Sequence, residues 1–333
     1  VHILITGGAG LLGSKLARQL LERGSLELDG TRREIISLTL FDRAEPNSGE
    51  SFLEDSRLKV VSGDLTNAET IRSLLKAAPD VIFHLAAVVS GEAEKNFELG
   101  MAVNIDATRT LLETCRALGT TPHFVFTSSV AVYGGELPDV IQDDTALNPQ
   151  SSYGMQKAVG ELLVNDYSRR GFIDGRVLRL PTVVVRPGQP NAATSSFASS
   201  IIREPLHGGE AICPVSAETR MWIMSPRQAV ESLIHAAQLR ADDLGTNRSL
   251  ALPGLSVSVG EMVSELAEVA GQEVAGRVRW ETDPFIERIV GSWPAQFAPR
   301  RASKLGFKAD KSLRDLIEIF IQDDMQGPLK VEA

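Results

Sequence analysis

The chain has 333 residues, 43% of them hydrophobic and 23% charged, a balance that excludes a disordered polymer and leaves ample material for a large core. Lys and Arg number 34 against 43 Asp and Glu, a formal charge of -9, which excludes the global positive field of a nucleic-acid or anionic-membrane binder and leaves room only for a local basic pocket. Two cysteines, Cys115 and Cys213, are too few for a disulfide framework or a four-ligand zinc site, and they point to a reducing, cytoplasmic setting.

Residues 1–6 form a short apolar run ending in glycines and predict a buried strand. Residues 11–23 follow helical spacing, with Leu12, Leu16, Leu20 and Leu21 on one side and Gly24 placed to end the helix. Strands are predicted at 35–41, 58–61, 81–85, 123–127 and 176–185. Helices are predicted at 71–77, 103–118 and 153–167, the second with Leu111, Leu112 and Cys115 facing inward. The run 81–89 contains His84 and is too short to span a bilayer. Beyond Pro187 the pattern weakens: 189–200 reads as a loop running into a helix, and 226–241, 259–270 and 313–323 read as helices.

Strands alternating with helices imply βαβ units and a parallel sheet covered on both faces. The fold class is therefore α/β, a Rossmann-type doubly wound parallel sheet with a smaller mixed α/β carboxyl-terminal substrate lobe. The division expected is 1–186 for the cofactor-binding domain and 187–333 for the lobe, with part of the chain returning to the sheet around 220–255. Ligands of such sheets bind beyond the carboxyl ends of the strands, where Gly7, Asp42, Asp64, Ala86 and Ser129 all fall.

Thr6-Gly7-Gly8-Ala9-Gly10-Leu11-Leu12-Gly13 lies between the first strand and the first helix. Gly7 and Gly10 suit a tight turn with close backbone approach, Gly13 suits close helix packing, and the helix start at Leu11 and Leu12 offers N–H groups to a pyrophosphate. Asp42 closes the second strand, where an acid accepts hydrogen bonds from ribose hydroxyls and repels a 2′-phosphate; NAD is favoured over NADP, although Arg43 beside it is a cation that can receive that phosphate. Asp64 is placed to meet the adenine amino group, with Leu65 packing on the ring.

Tyr153 and Lys157 are four apart and share a helix face, and Ser129 ends the fifth strand. A phenol is a poor base near neutral pH, and a neighbouring ammonium favours its ionised form. In this reading Tyr153 is the general base, Lys157 lowers its pKa and holds the nicotinamide ribose, and Ser129 holds the reacting oxygen. Asn104 would bind a water connecting Lys157 to solvent. No pair of histidines has metal-ligand spacing, so no metal site is expected.

These stretches resemble the extended short-chain dehydrogenase/reductase family: the glycine run, Gly63-Asp64-Leu65, His84-Leu-Ala-Ala87, Asn104-Ile-Asp-Ala-Thr108, Thr127-Ser-Ser-Val-Ala-Val-Tyr133, Tyr153-Gly-Met-Gln-Lys157 and Ala302-Ser-Lys-Leu-Gly-Phe307. The resemblance covers essentially the whole chain. It implies Ser129, Tyr153 and Lys157 as the catalytic triad with Asn104 in support. The cofactor set becomes Gly7, Gly10, Leu11, Leu12, Gly13, Asp42, Asp64, Leu65, Leu85, Ala86, Ala87, Tyr153, Lys157, Pro181 and Val183. It also suggests a homodimer through the helices 103–118 and 153–167.

The chain departs from the nucleotide-sugar members of that family. Thr182 stands where they commonly carry Asn, and Arg220-Met-Trp-Ile-Met-Ser-Pro-Arg227 replaces their usual run. His84-Leu-Ala-Ala-Val-Val-Ser-Gly-Glu-Ala-Glu94, Arg179-Leu-Pro-Thr182, Arg186-Pro-Gly-Gln-Pro-Asn-Ala192, Ile202-Arg-Glu-Pro205 and Leu252-Pro-Gly-Leu-Ser-Val257 instead resemble the D-erythronate dehydrogenase branch. That implies NAD-dependent oxidation of a small sugar acid at its 2-hydroxyl, D-erythronate to 2-keto-D-erythronate. Such a substrate needs polar anchors and a cation. The candidates are Ser90, Ser129, Tyr153, Ser196 and Arg220, with Arg186 and Arg227 as further cations. Two rivals stand beside this reading: a nucleotide-sugar epimerase or dehydratase on the same fold, and a non-enzymatic cofactor-sensing regulator.

Overall fold

A computed structural model describes residues 1–47, 49–188 and 194–325. Seven strands, β1 (His2–Thr6), β2 (Ser37–Asp42), β3 (Leu58–Ser62), β4 (Val81–His84), β5 (His123–Ser129), β6 (Asp174–Leu180) and β7 (Ser249–Ala251), form one sheet in the order β7-β6-β5-β4-β1-β2-β3. Every pairing in it is parallel. The strand order reverses between β1 and β4, and a crevice opens at the carboxyl end of such a switch point.

The connecting helices are α1 (Leu11–Arg23), α2 (Ala68–Leu75), α3 (Thr108–Leu118), α4 (Ser152–Arg169), α5 (Ser196–Leu206), α6 (Pro226–Gln238), α7 (Val259–Ala270) and α8 (Leu313–Asp324). Alternation along the strands explains why they read as unbroken apolar runs. Ile3 and Ile5 pack with Leu16 and Leu20 of α1 and Leu233 of α6 on one face. Leu4, Ile82, Phe124 and Phe126 pack with Ile71 of α2, Leu111 and Leu112 of α3 and Val164 of α4 on the other. Both faces are buried, so most positions in the central strands are apolar, and the polar ones such as Thr6 and His84 are hydrogen-bonded to each other. Each fully buried leucine contributes about 1.5–3 kcal/mol relative to exposure.

A separate apolar cluster lies in the carboxyl-terminal part, where Val184, Val185, Ile201, Ile202, Ile223, Met262, Leu266, Leu316 and Phe320 come together. There Thr182–Val183 runs parallel to Arg220–Met224, which pairs antiparallel with Leu255–Ser258. The chain then returns to the main sheet through α6 and β7. No helix among the described residues is long and apolar enough to cross a membrane.

Several elements differ from the sequence reading. The strand expected at 176–185 breaks at Pro181, which has no N–H for a ladder, and Thr182–Val183 joins the second sheet. The helix expected at 103–118 begins with a wide π-type stretch, Met101–Ala107. The helix expected at 71–77 begins at Ala68, where the Asn67 side chain accepts a hydrogen bond from Glu69 N–H. An unforeseen hairpin, Ser25–Leu28 with Thr31–Glu34, turns through Asp29 (φ 54°) and Gly30 (φ 74°). Asp-Gly is a sequence signal for that type of turn. The segment 189–193 of the expected loop lies outside the described residues.

Candidate active site

The turn between β1 and α1 is held open for a ligand by its glycines. Gly7 has φ +75°, and a Cβ on it would meet Ala86 N at 2.6 Å. A Cβ on Gly13 would meet Gly7 O at 2.3 Å, so the first turn of α1 is seated in the loop itself. Gly10 is the N-cap of α1 and supplies no capping side chain, and no acid occupies the first turn. The helix therefore presents its N–H groups and positive dipole end without an internal anion. Residues 85–87, half-buried, continue from β4 against Gly7, with Leu85 N–H donating to Thr6 O at 3.0 Å.

Asp42 faces this turn from the end of β2. Its carboxylate accepts from Ala9 N–H at 3.0 Å, Arg43 N–H at 2.7 Å and Ala44 N–H at 3.2 Å. It thereby places negative charge beside the glycine loop, where it would meet ribose hydroxyls and oppose a 2′-phosphate. Arg43 is exposed. Asp64 is also exposed; Thr66 N–H at 2.8 Å and Thr66 Oγ1 at 2.9 Å donate to its carboxylate and hold its pKa below the ordinary range. Leu65 is buried with Phe41 and Ile71 beneath it. The cradle thus has the shape, the donors and the acid that a dinucleotide requires.

The second group of residues gathers at the end of β5. Of the serine pair, Ser128 is 2% exposed and donates to Glu161, whereas Ser129 is half-buried and accepts from Ala131 N–H at 3.2 Å. Successive strand residues point to opposite faces, and this alternation puts Ser129 on the face away from Ser128 and Glu161. Helix α4 starts against the next turn: a Cβ on Gly154 would meet Ala131 O at 2.2 Å. Ser151 caps the helix, accepting from Gly154 N–H at 3.1 Å. Tyr153 lies in its first turn and Lys157 one turn further on. The Lys157 ammonium lies 5.7 Å from the Tyr153 ring centroid and 4.9 Å from that of Phe126, and it donates to Thr127 O at 2.8 Å.

The electrostatics of the two residues differ from the sequence reading. Burial pushes the Tyr153 phenol up to about 12, not down. Burial also lowers Lys157 to about 8, with Glu161 acting in the opposite direction. The ammonium is tied to Thr127 O, and burial alone accounts for the rise of the phenol.

Asn104 lies in the π-type stretch. Its amide accepts from Val88 N–H at 2.8 Å and donates to Val88 O at 3.1 Å and Gln156 Oε1 at 2.7 Å. These bonds clamp the 85–89 loop to α4 through Gln156. Gln156 Nε2, buried beside it, has no partner among the described residues.

Two further groups of residues were not anticipated. His84 is wholly buried between Thr6 Oγ1 at 2.7 Å and Thr108 Oγ1 at 2.8 Å. Thr108 donates to Asn104 O, so it accepts from His84 Nε2–H, and Nδ1 accepts from Thr6. Burial, with Lys157 nearby, holds His84 down at about 3, and it stays neutral. Glu161, one turn beyond Lys157, pairs with Arg179 and through it with Tyr133. The sequence signal for this pair was a carboxylate on the inward face of a helix that also carries Tyr153 and Lys157.

The proposed substrate residues are not all brought together. Ser90 opens a short helix (Ser90–Lys95) whose Glu94 accepts from Ser152 N–H at 2.9 Å, at the start of α4. Ser196 begins α5 and is half-buried. Pro181 and half-buried Val183 follow β6. Arg220 is exposed, donating to Ser256 O at 2.8 Å with Glu261 at 3.5 Å. It opens a strand whose other end, Met224, pairs with Val183, about 13 Å further along at 3.3 Å per residue. Arg227 is half-buried and paired with Asp323. A cavity of about 360 Å³ bordered by Asp29, Asp80 and His123 lies at the opposite, amino-terminal edge of the sheet, away from these groups.

A dinucleotide cradle and a Tyr-Lys pair at one sheet edge define the class: a Rossmann-type, NAD-dependent oxidoreductase. The chain belongs to the NAD dependent epimerase/dehydratase family, whose model matches residues 3–240. It is 57% identical over 323 residues to a D-erythronate dehydrogenase of Cupriavidus necator, covering 97% of this chain and 98% of that one. A D-erythronate dehydrogenase of Haemophilus influenzae is 45% identical over 325 residues, covering 98% and 100%. Among solved structures, a nucleoside-diphosphate-sugar epimerase from Agrobacterium tumefaciens superposes with a TM-score of 0.92 at 44% identity, covering 99% of this chain and 96% of that chain.

Proposed function

We propose that the protein oxidises the 2-hydroxyl of a small sugar acid, D-erythronate to 2-keto-D-erythronate. The observation that carries this reading is full-length identity of 57% and 45% to two relatives named for that activity. Bound NAD supplies the hydride acceptor. Gly7, Gly10, Leu11, Leu12 and Gly13 would hold its pyrophosphate, and Asp42 its adenosine ribose. The Tyr153 phenolate removes the proton from the substrate hydroxyl as the carbon–oxygen bond becomes a carbonyl. Ser129 Oγ–H donates to the same oxygen and keeps it in place. Lys157 supplies the positive charge that favours the ionised phenol.

A second reading, epimerisation of a nucleotide sugar, is favoured by the name of the Agrobacterium structure. The two differ in redox balance. An epimerase returns the hydride to its substrate, whereas a dehydrogenase accumulates NADH. Absorbance should therefore rise with D-erythronate and NAD, less with L-threonate or other aldonates, and not with UDP-sugars. Interconversion of a UDP-sugar with no response to any aldonate would select the second reading.

The setting proposed is the cytoplasm, supported by two buried free thiols. The proposed assembly is a homodimer through α3 and α4, on which Leu162 is 68% exposed. Light scattering should give twice the chain mass for the wild type and the monomer mass for Leu162→Glu; a monomeric wild type would reject the assembly.

A further inference from the structure

Resting on the sugar-acid reading, we infer that Arg186 is the cation that takes the substrate carboxylate. The contrast with the other buried arginines is what singles it out. Arg176 pairs with Asp174, Arg179 with Glu161 and Arg203 with Glu204, each at 2.6 Å. Arg186 is half-buried, yet among the described residues no carboxylate pairs with it. Among the described residues its one side-chain hydrogen bond is long, Nη2 to Ser195 Oγ at 3.4 Å. The nearby stretch Gln189-Pro-Asn-Ala-Ala193 contains no acid. A guanidinium partly withdrawn from water without an anion is costly, because its five N–H donors lose hydration and gain little in return. Burial and the charge of Arg203 both depress its proton affinity, the response of a cation lacking a counterion.

The backbone beneath it is fixed. Val184 and Val185 are fully buried, Arg186 N–H donates to Ser199 Oγ at 3.0 Å, and Arg203 Nη1 donates to Arg186 O at 2.6 Å. The guanidinium thus stands on a rigid base, beside the amino terminus of α5, whose dipole adds positive potential. The chain also connects it to the carboxyl edge of the sheet. Ser129 pairs with Leu180, and the chain runs on from that same carboxyl edge to Arg186 six residues later. By contrast, Arg220 is exposed and half-buried Arg227 is already paired with Asp323. The planar fork of an arginine suits a carboxylate, which it can hold through two parallel hydrogen bonds.

The test compares D-erythronate with its uncharged amide, using the wild type, Arg186→Gln, Arg186→Lys and Arg220→Gln, each with NAD. Binding of D-erythronate to the NADH-loaded protein is measured by calorimetry alongside turnover. The expected result is a rise of about a hundredfold in KM for the acid in Arg186→Gln, with kcat changed far less. The wild-type preference for acid over amide should collapse in that variant, remain in Arg220→Gln, and fall to an intermediate value in Arg186→Lys. The melting temperature of Arg186→Gln should not fall, since an unpaired buried charge has been removed. Turnover with an unchanged KM and preference in Arg186→Gln rejects the anchor and keeps the reaction. Arg186-dependent binding of D-erythronate without NADH formation rejects the reaction and keeps the anchor. Loss of the preference in Arg220→Gln alone overturns the proposal in favour of that residue.

Discussion

Tyr153→Phe is expected to lower turnover by about 10²–10⁴-fold while leaving NAD affinity close to that of the wild type. The substitution removes one oxygen and keeps the ring that lies against Lys157. In the proposed site the cofactor's pyrophosphate and adenosine would be held elsewhere, by the glycine turn and Asp42, so binding has little reason to change. Fluorescence titration with NADH and steady-state turnover separate the two effects. A variant that kept more than about a tenth of the wild-type rate would show that another group takes the proton.

The pH profile follows from the same geometry. The reactive form of Tyr153 is deprotonated, so the rate must rise with pH on the acid side. With the phenol at about 12, only about one molecule in 10⁵ would carry the phenolate at pH 7. Positive charge beside the ring must bring that value down in the working complex, and Lys157 is the residue placed to contribute. Its own value near 8 means that its charge is present below that pH and lost above it. The rate should therefore climb from acid pH and flatten or fall beyond about 8. Lys157→Met should move the rising limb to higher pH, because the phenol then loses its neighbouring cation. A limb that stayed in place would remove Lys157 from the titration and leave it only a binding role.

What could be read from the sequence was set by the range of the interactions involved. Strands buried on both faces, such as Val81–His84, declare themselves through their own apolar runs, and α1 through its leucines. The glycine turn and the Tyr153–Lys157 spacing are likewise local. Pro181 carried a local signal too, a missing N–H, and the strand expected through it stops there. The hairpin at Asp29-Gly30 had its turn signal, but its strands are only four residues long and one of them is exposed throughout. Partners distant in sequence were not legible. Arg220 read as a pocket cation until the fold set it against Ser256 and Glu261. The acidic phenol was read from a neighbouring ammonium and a bound nicotinamide, and the burial that raises it depends on the packing of the whole site. The pairing of Ser128 with Glu161 on the other face from Ser129 was likewise not legible, because it joins residues 33 positions apart.

Glu161 is the site of the second large effect. Glu161→Gln should destabilise the fold by about 3–5 kcal/mol, the range for removing one member of a buried ion pair. Glu161 is 2% exposed and Arg179 7%. Arg179 Nη2 donates to Glu161 Oε2 at 2.6 Å and Nε to Oε1 at 2.9 Å, while Nη1 donates to Tyr133 Oη at 2.6 Å. The amide offers one acceptor oxygen instead of two and carries no charge, so the guanidinium is left inside the protein without its anion. The loss extends to the reacting groups. Ser128 gives up its charge-assisted partner next to Ser129, and Lys157 loses the one nearby charge that favours its ammonium. Turnover should consequently fall together with stability, and calorimetry should place the melting transition on the order of 10 °C lower. The double replacement Glu161→Leu with Arg179→Met separates structure from chemistry. It removes both charges, so it should recover much of the lost stability, since desolvating an ion pair offsets most of what the pair contributes. It should not recover the pH profile, because Lys157 still lacks its carboxylate. If the double variant regained both stability and the wild-type profile, the pair would be only a packing element; if Glu161→Gln melted with the wild type, the ion pair would not be what holds α4 to the end of β5.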